Sequence, residues 1–280
     1  MKKIAVSILT ISLLSGCQMV EDKFPNLTNE QTQPEETPTP STDTDKEVEK
    51  EELEKEKEED IVEDKMLLVN EEKLTKSVEV DGQFVVQNPE NAWVLVNKEL
   101  ALPKDYYPED LVRPSVPFVF GDEEVEKALI REEAAIALEQ WFEKAKNENI
   151  DILAASGFRS YDRQATIFQA TVDTKGEEHA IQAVALPGKS EHQTGLAMDI
   201  TSPSVNYDLV QEYGDTKEGK WLSETAHEFG FILRYPKDKE SITGYMYEPW
   251  HFRYVGVELA TYLKEKNWTL EEYMNEVQAI

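Results

Sequence analysis

The sequence holds one cysteine and four histidines in 280 residues. A single thiol excludes a disulfide framework and any Cys-rich zinc site, so the folded part must be held together by its core. Basic residues are scarce as well: 29 Lys and Arg stand against 57 Asp and Glu, a formal net charge of −28. A phosphate backbone needs a basic face, and no dense Lys/Arg patch is present, so nucleic acid is excluded as a partner. Long apolar runs are missing too. The run over residues 4–14 is too short to span a bilayer as a mature helix.

That short run nevertheless has a recognisable setting. In "MKKIAVSILTISLLSGCQ", Lys2 and Lys3 precede it, the layout of a secretory signal. It ends in Leu14-Ser15-Gly16-Cys17, which resembles the bacterial lipoprotein lipobox and implies cleavage before Cys17 and a lipid on its thiol. The alternative is an ordinary signal peptide with a cysteine by chance. Against it, Cys17 is the chain's one cysteine and falls at the position the lipobox requires. Residues 18–65 then carry eighteen Asp/Glu against six Lys and include the Pro/Thr-rich "QTQPEETPTPSTDTD". With so few apolar side chains, such a segment cannot offset its ordering entropy and reads as a disordered acidic linker. "KEVEKEELEKEKEED" has Glu–Lys pairs suited to a solvated helix, but no apolar stripe to dock. As a flexible coil the linker spans roughly 35–40 Å. The expected place of the protein is thus the extracytoplasmic face of a bacterial membrane, lipid-anchored.

Ordered sequence is expected from Met66. Residues 66–90 have β-branched runs broken by Asp81-Gly82 and Asn88-Pro89, a short strand-rich extension. After Gly121, Asp122 is placed to cap a helix with Glu123 and Glu124 in its first turn. Val125, Ala128, Ala135, Leu138, Phe142 and Ala145 fall at helical spacings along it. "IDILAAS" reads as a buried strand, and Asp162 as the cap of a helix running towards Gly176. "GLAMDI" alternates, with Leu196, Met198 and Ile200 on one face and Ala197 and Asp199 on the other. A helix over 218–229 carries Trp221, Leu222, Thr225 and Phe229, with Gly230 as its stop. "FILRY" and "EPWHFRYVG" look like strands, and Thr269 with Glu272 forms a capping-box pattern. The fold class expected is α+β: a small antiparallel sheet flanked by helices, in one domain over 91–280.

The chemistry gathers in two stretches, "KSEHQTGLAMDI" and "EPWH". A mononuclear catalytic metal needs three protein ligands, an open position and a nearby base. His192, Asp199 and His251 supply two imidazoles and a carboxylate, a set that leaves Zn²⁺ with net positive charge. Glu248 is the natural base, although positions i and i+3 of a regular strand point to opposite faces. Pro249 suggests that Glu248 sits where the strand has not yet become regular.

"SGFRSYDRQ", "SEHQTGLAMDI" and "EPWHFRYVG", in this order, resemble the VanY/LdcB group of zinc D-alanyl-D-alanine carboxypeptidases of the M15 peptidases. The resemblance runs from about Asn91 to Trp268 and makes 91–280 the carboxypeptidase domain. It implies one Zn²⁺ per chain on His192, Asp199 and His251, Glu248 as catalytic base, and Arg159 as a stabiliser of substrate or transition state. Gln164, Ser190 and Tyr235 are further substrate-contact candidates by their places in the motifs. The implied reaction removes the C-terminal D-Ala from peptidoglycan stem peptides; the protein is expected to be a monomer. D,D-specific members cut a pentapeptide and L,D-specific members a tetrapeptide, and both need the same residues.

Each candidate has a plainer reading. Taken singly, His192 and His251 would be structural histidines; they gain a role by sharing matched motifs with Asp199 and Glu248. His179 and His227 have no such company and are given none. Arg159 has the alternative of a structural ion pair, and Arg234 and Arg253 are read as such pairs. Trp250 is expected to pack behind the site, and Tyr161 to line the groove or close its loop. Two rival functions are a catalytically silent wall-binding lipoprotein, against which an intact Glu248 speaks, and a lipoprotein sensor of exported peptides.

Overall fold

The computed structural model describes residues 65–280. The lipobox with Cys17 and the linker through residue 64 therefore lie outside the described residues. Strands β1 (Leu68–Val69), β2 (Ser77–Val80), β3 (Gln83–Val86) and β4 (Leu100–Ala101) come first. Strands β5 (Leu111–Val112) and β6 (Ile130–Arg131) lead into helix α1 (Glu132–Asn147). Then follow β7 (Leu153–Ser156), α2 (Tyr161–Lys175), α3 (Glu177–Ala183) and β8 (Ala197–Thr201). After these come α4 (Lys217–Thr225), β9 (Phe231–Leu233), α5 (Glu240–Thr243) and β10 (His251–Tyr254). Helices α6 (Val257–Lys266) and α7 (Leu270–Glu276) and strand β11 (Gln278–Ala279) close the order. No helix among the described residues is long and apolar enough to cross a membrane.

The central sheet runs β7-β8-β10-β9 with every neighbour antiparallel, the α+β arrangement expected. Met198 and Ile200 of β8 and Phe252 of β10 are fully buried and meet helix α1. That helix turns Ala134, Ala135, Leu138, Trp141, Phe142 and Ala145 inward, a spacing of three and four residues. Trp141 is the hub: its ring stacks near Trp221 and Phe231, and Phe252 meets it edge-on at 5.1 Å. Its indole N–H donates to Thr225 Oγ1 at 2.9 Å, so burying the ring leaves no polar atom unpaired. Each such large side chain contributes about 1.5–3 kcal/mol by burial.

Helix α1 starts nine residues later than a cap at Asp122 suggests. Glu126–Ala128 form a 3₁₀ turn and Ile130–Arg131 pair with β5 instead. The carbonyls of Lys127 and Leu129 are taken by the N–H groups of Gly157 and Phe158, both at 2.7 Å, which no α-helix would allow. Ala128 is buried and Val125 packs on the same core, so their apolar period arises from a turn. The cap of α2 is Ser160, whose side chain accepts from the Arg163 N–H; Asp162 lies in the first turn. The helix expected over 218–229 is capped by Thr216 and ends at Thr225, and Ala226–Phe229 tighten into a 3₁₀ turn stopped by Gly230 at φ 78°. The capping box of Thr269 and Glu272 is formed. At the other end, Met66 and Val69 pack with Leu259, Leu263 and Tyr273, and the Tyr273 hydroxyl donates to the Met66 carbonyl at 2.7 Å. β1 runs parallel to β11.

Candidate metal centre and active site

Three elements bring the metal candidates together. In the β8–β10 pairing Asp199 lies directly opposite His251, so both side chains leave the same face of the sheet. Ser156 of β7 is the partner of Asp199 on its other side. His192 comes from a 3₁₀ turn over Glu191–Thr194 that ends at Gly195, φ 68°. A Cβ at Gly195 would come within 2.9 Å of both Leu111 and Arg131, so glycine is required for space as well as backbone.

All three side chains are buried, and their ligand atoms lie within 4.8 Å of one another. His192 Nε2 is 3.3 Å from Asp199 Oδ2, and His251 Nδ1 is 3.0 Å from Asp199 Oδ1. The outer nitrogens are engaged elsewhere. His192 Nδ1 donates to the Gly157 carbonyl at 2.7 Å, and His251 Nε2 faces Glu191 Oε2 at 3.2 Å. A carbonyl can only accept, so the His192 proton sits on Nδ1 and its Nε2 is the free ligand atom. Two imidazoles with one nitrogen each turned towards a shared carboxylate, and with the other nitrogen held from behind, fit a divalent metal such as zinc.

The electrostatics agree. Burial opposes charge on Asp199, but His192 and His251 overcome it and hold the carboxyl well below the carboxylate range. Burial likewise opposes Glu191, and Arg234, Arg253 and His251 keep it ionised. Burial lowers His192 despite Asp199. On His251 burial is outweighed by the hydrogen bonds it donates to Asp199 and Glu191, which push it up to about 9. A metal held at this position would have to displace a proton from His251.

Glu248 answers the objection of strand spacing. It precedes β10 in a turn closed by the His251 N–H on the Glu248 carbonyl at 3.1 Å. The turn brings Glu248 Oε2 back to 3.9 Å from His251 Nδ1. Burial, helped by Asp199 and Glu191 and opposed by His251 and Arg159, raises its carboxyl to about 7. A carboxyl poised there both takes and returns protons near neutrality.

Arg159 follows β7 and lines the same cleft of about 230 Å³, with Ser190, Tyr235, Tyr245, Glu248 and Trp250. Its Nη1 donates to Gln164 Oε1 at 3.0 Å and its Nη2 to Ser156 Oγ at 3.3 Å. Gln164 is buried, and its amide donates to the Ala185 carbonyl at 2.6 Å, so both ends of this side chain are engaged in holding Arg159 and the cleft wall. Ser190 is buried at the cleft, and the ring of Tyr235 lies 4.9 Å from that of His251. Trp250 packs against the main core and also reaches the cleft wall. Tyr161 is absent from the lining and has Lys104 over its ring at 5.6 Å. His179 is exposed, and His227 lines a separate cavity with Trp268. Arg234 and Arg253 are ion-paired as expected, at 2.7 and 2.8 Å from Glu191 Oε1. Glu191 itself, Gly157 and Tyr245 were not legible as site residues. The one signal for Glu191 is an acid wedged directly before a ligand histidine in "SEH".

Comparison with known proteins follows the same line. The sequence model of a family described as VanY, D-alanyl-D-alanine carboxypeptidase, matches residues 127–257. YodJ of Bacillus subtilis (strain 168), which bears a provisional carboxypeptidase name, is 53% identical over 201 residues, 72% of this chain and 73% of that protein. Among solved structures, the LdcB LD-carboxypeptidase is 50% identical with a TM-score of 0.74, covering 76% of this chain and all of that one (100%). A variant of the vancomycin-resistance D,D-pentapeptidase VanY in complex with Zn(II) is 34% identical with a TM-score of 0.54, covering 66% and 99%.

Proposed function

Because this chain belongs to the VanY family of D-alanyl-D-alanine carboxypeptidases, we propose that it removes the C-terminal D-alanine from peptidoglycan stem peptides. It is a metallo-carboxypeptidase with zinc as its cofactor. His192, Asp199 and His251 would hold the ion, which supplies positive charge that acidifies water and polarises the scissile carbonyl. Glu248 takes the proton of the attacking water on its carboxylate and returns it to the leaving amino nitrogen. Arg159 receives the substrate's free carboxylate through paired, charge-assisted hydrogen bonds, with Gln164 and Ser156 fixing the guanidinium. Ser190 and Tyr235 contribute wall contacts to the peptide. The observation that carries this reading is the Glu248 carboxyl sharing one cleft with Arg159 and the three ligand candidates, 3.9 Å from His251.

The bond cut has two readings. The family name and the likeness to the D,D-pentapeptidase support a cut between two D-alanines of a pentapeptide. The L,D reading, release of D-Ala from a tetrapeptide, is favoured by the greater likeness to LdcB, 50% against 34% identity. Mass analysis of defined penta- and tetrapeptides after incubation with the zinc enzyme decides between them: loss of one alanine from the pentapeptide alone supports the first, from the tetrapeptide alone the second. Release from neither refutes the proposal.

The lipobox reading supports a lipid on Cys17, with residues 17–65 as tether, 66–90 as an extension and 91–280 as the catalytic part. The enzyme then works on the extracytoplasmic face of a bacterial membrane. Cys17→Ala is expected to move it from the membrane fraction to the soluble fraction; unchanged fractionation refutes the anchor.

A further inference from the structure

Behind His251 lies a sealed group of four charged side chains. Glu191, Arg234 and Arg253 have no side-chain exposure, and Glu271 has 8%. Glu191 Oε1 accepts from Arg234 Nε at 2.7 Å and from Arg253 Nη1 at 2.8 Å. The other two nitrogens of Arg234 each donate to Glu271 of α7, at 2.7 and 2.6 Å. Arg253 Nη2 donates to the carbonyls of Ala92 and Val94. Two acids and two guanidiniums balance in charge, and the arrangement leaves one oxygen, Glu191 Oε2, aimed at His251 Nε2.

An ionised carboxylate can only accept, so Glu191 keeps a hydrogen on Nε2, and Nδ1, which faces Asp199 at 3.0 Å, is the nitrogen that would give up its proton to a metal. Without that constraint the ring is free to exchange its proton between nitrogens or to rotate. We propose that Glu191 is a positioning residue for the metal centre, clamped by Arg234 and Arg253 so that His251 presents Nδ1, and that Glu271 makes helix α7 part of this support. Glu271 lies outside residues 127–257, the part matched by the family model. The inference rests on the zinc reading of His192, Asp199 and His251.

The test measures zinc affinity directly, by competition with a chelator, on the full chain. Glu191→Gln is expected to weaken zinc binding by about 10- to 100-fold, the usual cost of removing a partner that orients a metal-bound histidine. Glu271→Gln is expected to weaken it more than Tyr273→Phe, a control on the same helix that loses a bond to Met66 but keeps the Arg234 pair. Because Glu191→Gln leaves two buried guanidiniums short of charge, folding is checked first. If that variant does not fold, nitrogen NMR of the zinc-loaded wild type decides: a hydrogen on His251 Nε2 upholds the inference and one on Nδ1 overturns it. Equal affinity of a folded Glu191→Gln and wild type overturns the role of Glu191, and equal effects of the two α7 variants overturn that of α7. Wild-type protein that takes up no zinc overturns the metal reading itself, a separate result.

Discussion

Gly157→Ala tests how tightly the metal site is tied to the backbone behind it. The Gly157 carbonyl holds His192 Nδ1 at 2.7 Å, while its own N–H is bonded to Lys127 O at 2.7 Å. A methyl group there would overlap the Leu129 carbonyl oxygen and come within 2.9 Å of Met198 Cε. The Met side chain can yield, but the Leu129 carbonyl accepts from Phe158 N at 2.7 Å and is fixed. The 156–158 backbone must therefore move. Overpacking of this kind costs about 1–3 kcal/mol, which for a domain of this size lowers Tm by about 2–12 °C. Moving the carbonyl also releases His192, which weakens zinc about 10- to 100-fold. At a fixed excess of zinc that removes about 1.4–2.7 kcal/mol of the stabilisation the metal provides. The assay is thermal unfolding with zinc and with chelator. A purely steric effect lowers both transitions together; the expected result is that the gap between them narrows as well. An unchanged gap refutes the link between Gly157 and the ligand, and an unchanged Tm in chelator refutes the crowding argument.

Glu248→Gln is expected to bind zinc with unchanged stoichiometry while kcat falls by about 10²–10⁴; retained turnover would mean that the base lies elsewhere and would revive the wall-binding reading. Arg159→Met should cost about 1.5–3 kcal/mol in kcat/KM on peptides with a free C-terminal carboxylate and little on the C-terminal amides; equal losses on both would assign Arg159 a structural role. Glu272 is held below its ordinary 4.5 by Lys239 and the Thr269 cap, in spite of partial burial. Its contribution to stability is therefore present above pH 4.5 and lost as the pH falls through its lowered value. Glu272→Gln should accordingly flatten the fall of Tm below pH 4.5 and change little in relative terms at lower pH, where both proteins carry a neutral side chain.

The three metal candidates were readable because ligand types, spacing and motif context point the same way, and a strand reading of "GLAMDI" already places Asp199 beside small residues. Helix α1 shows the limit: its apolar period extends back through Val125 and Ala128, and only the hydrogen bonds from Gly157 and Phe158 reveal that this stretch is a turn. Such long-range backbone pairing leaves no mark on local periodicity. Glu191 was missed for a related reason. A glutamate beside a ligand histidine is ordinarily solvated, and its burial depends on two arginines 43 and 62 residues away. Gln164 looked like a substrate contact because it stands in a motif, yet its side chain is spent on Arg159 and Ala185.

The pairing of β8 with β10 has a consequence for how the chain assembles. Asp199 meets His251 only when the two strands are aligned as observed. A slip by one residue sets Asp199 against Phe252 or Trp250 and turns the ring to the opposite face of the sheet. An ion that needs both groups therefore binds the correctly aligned strand pair and none of its shifted competitors. Zinc supplied during refolding should act as a proofreader of the sheet, rewarding one alignment before the helices seal it.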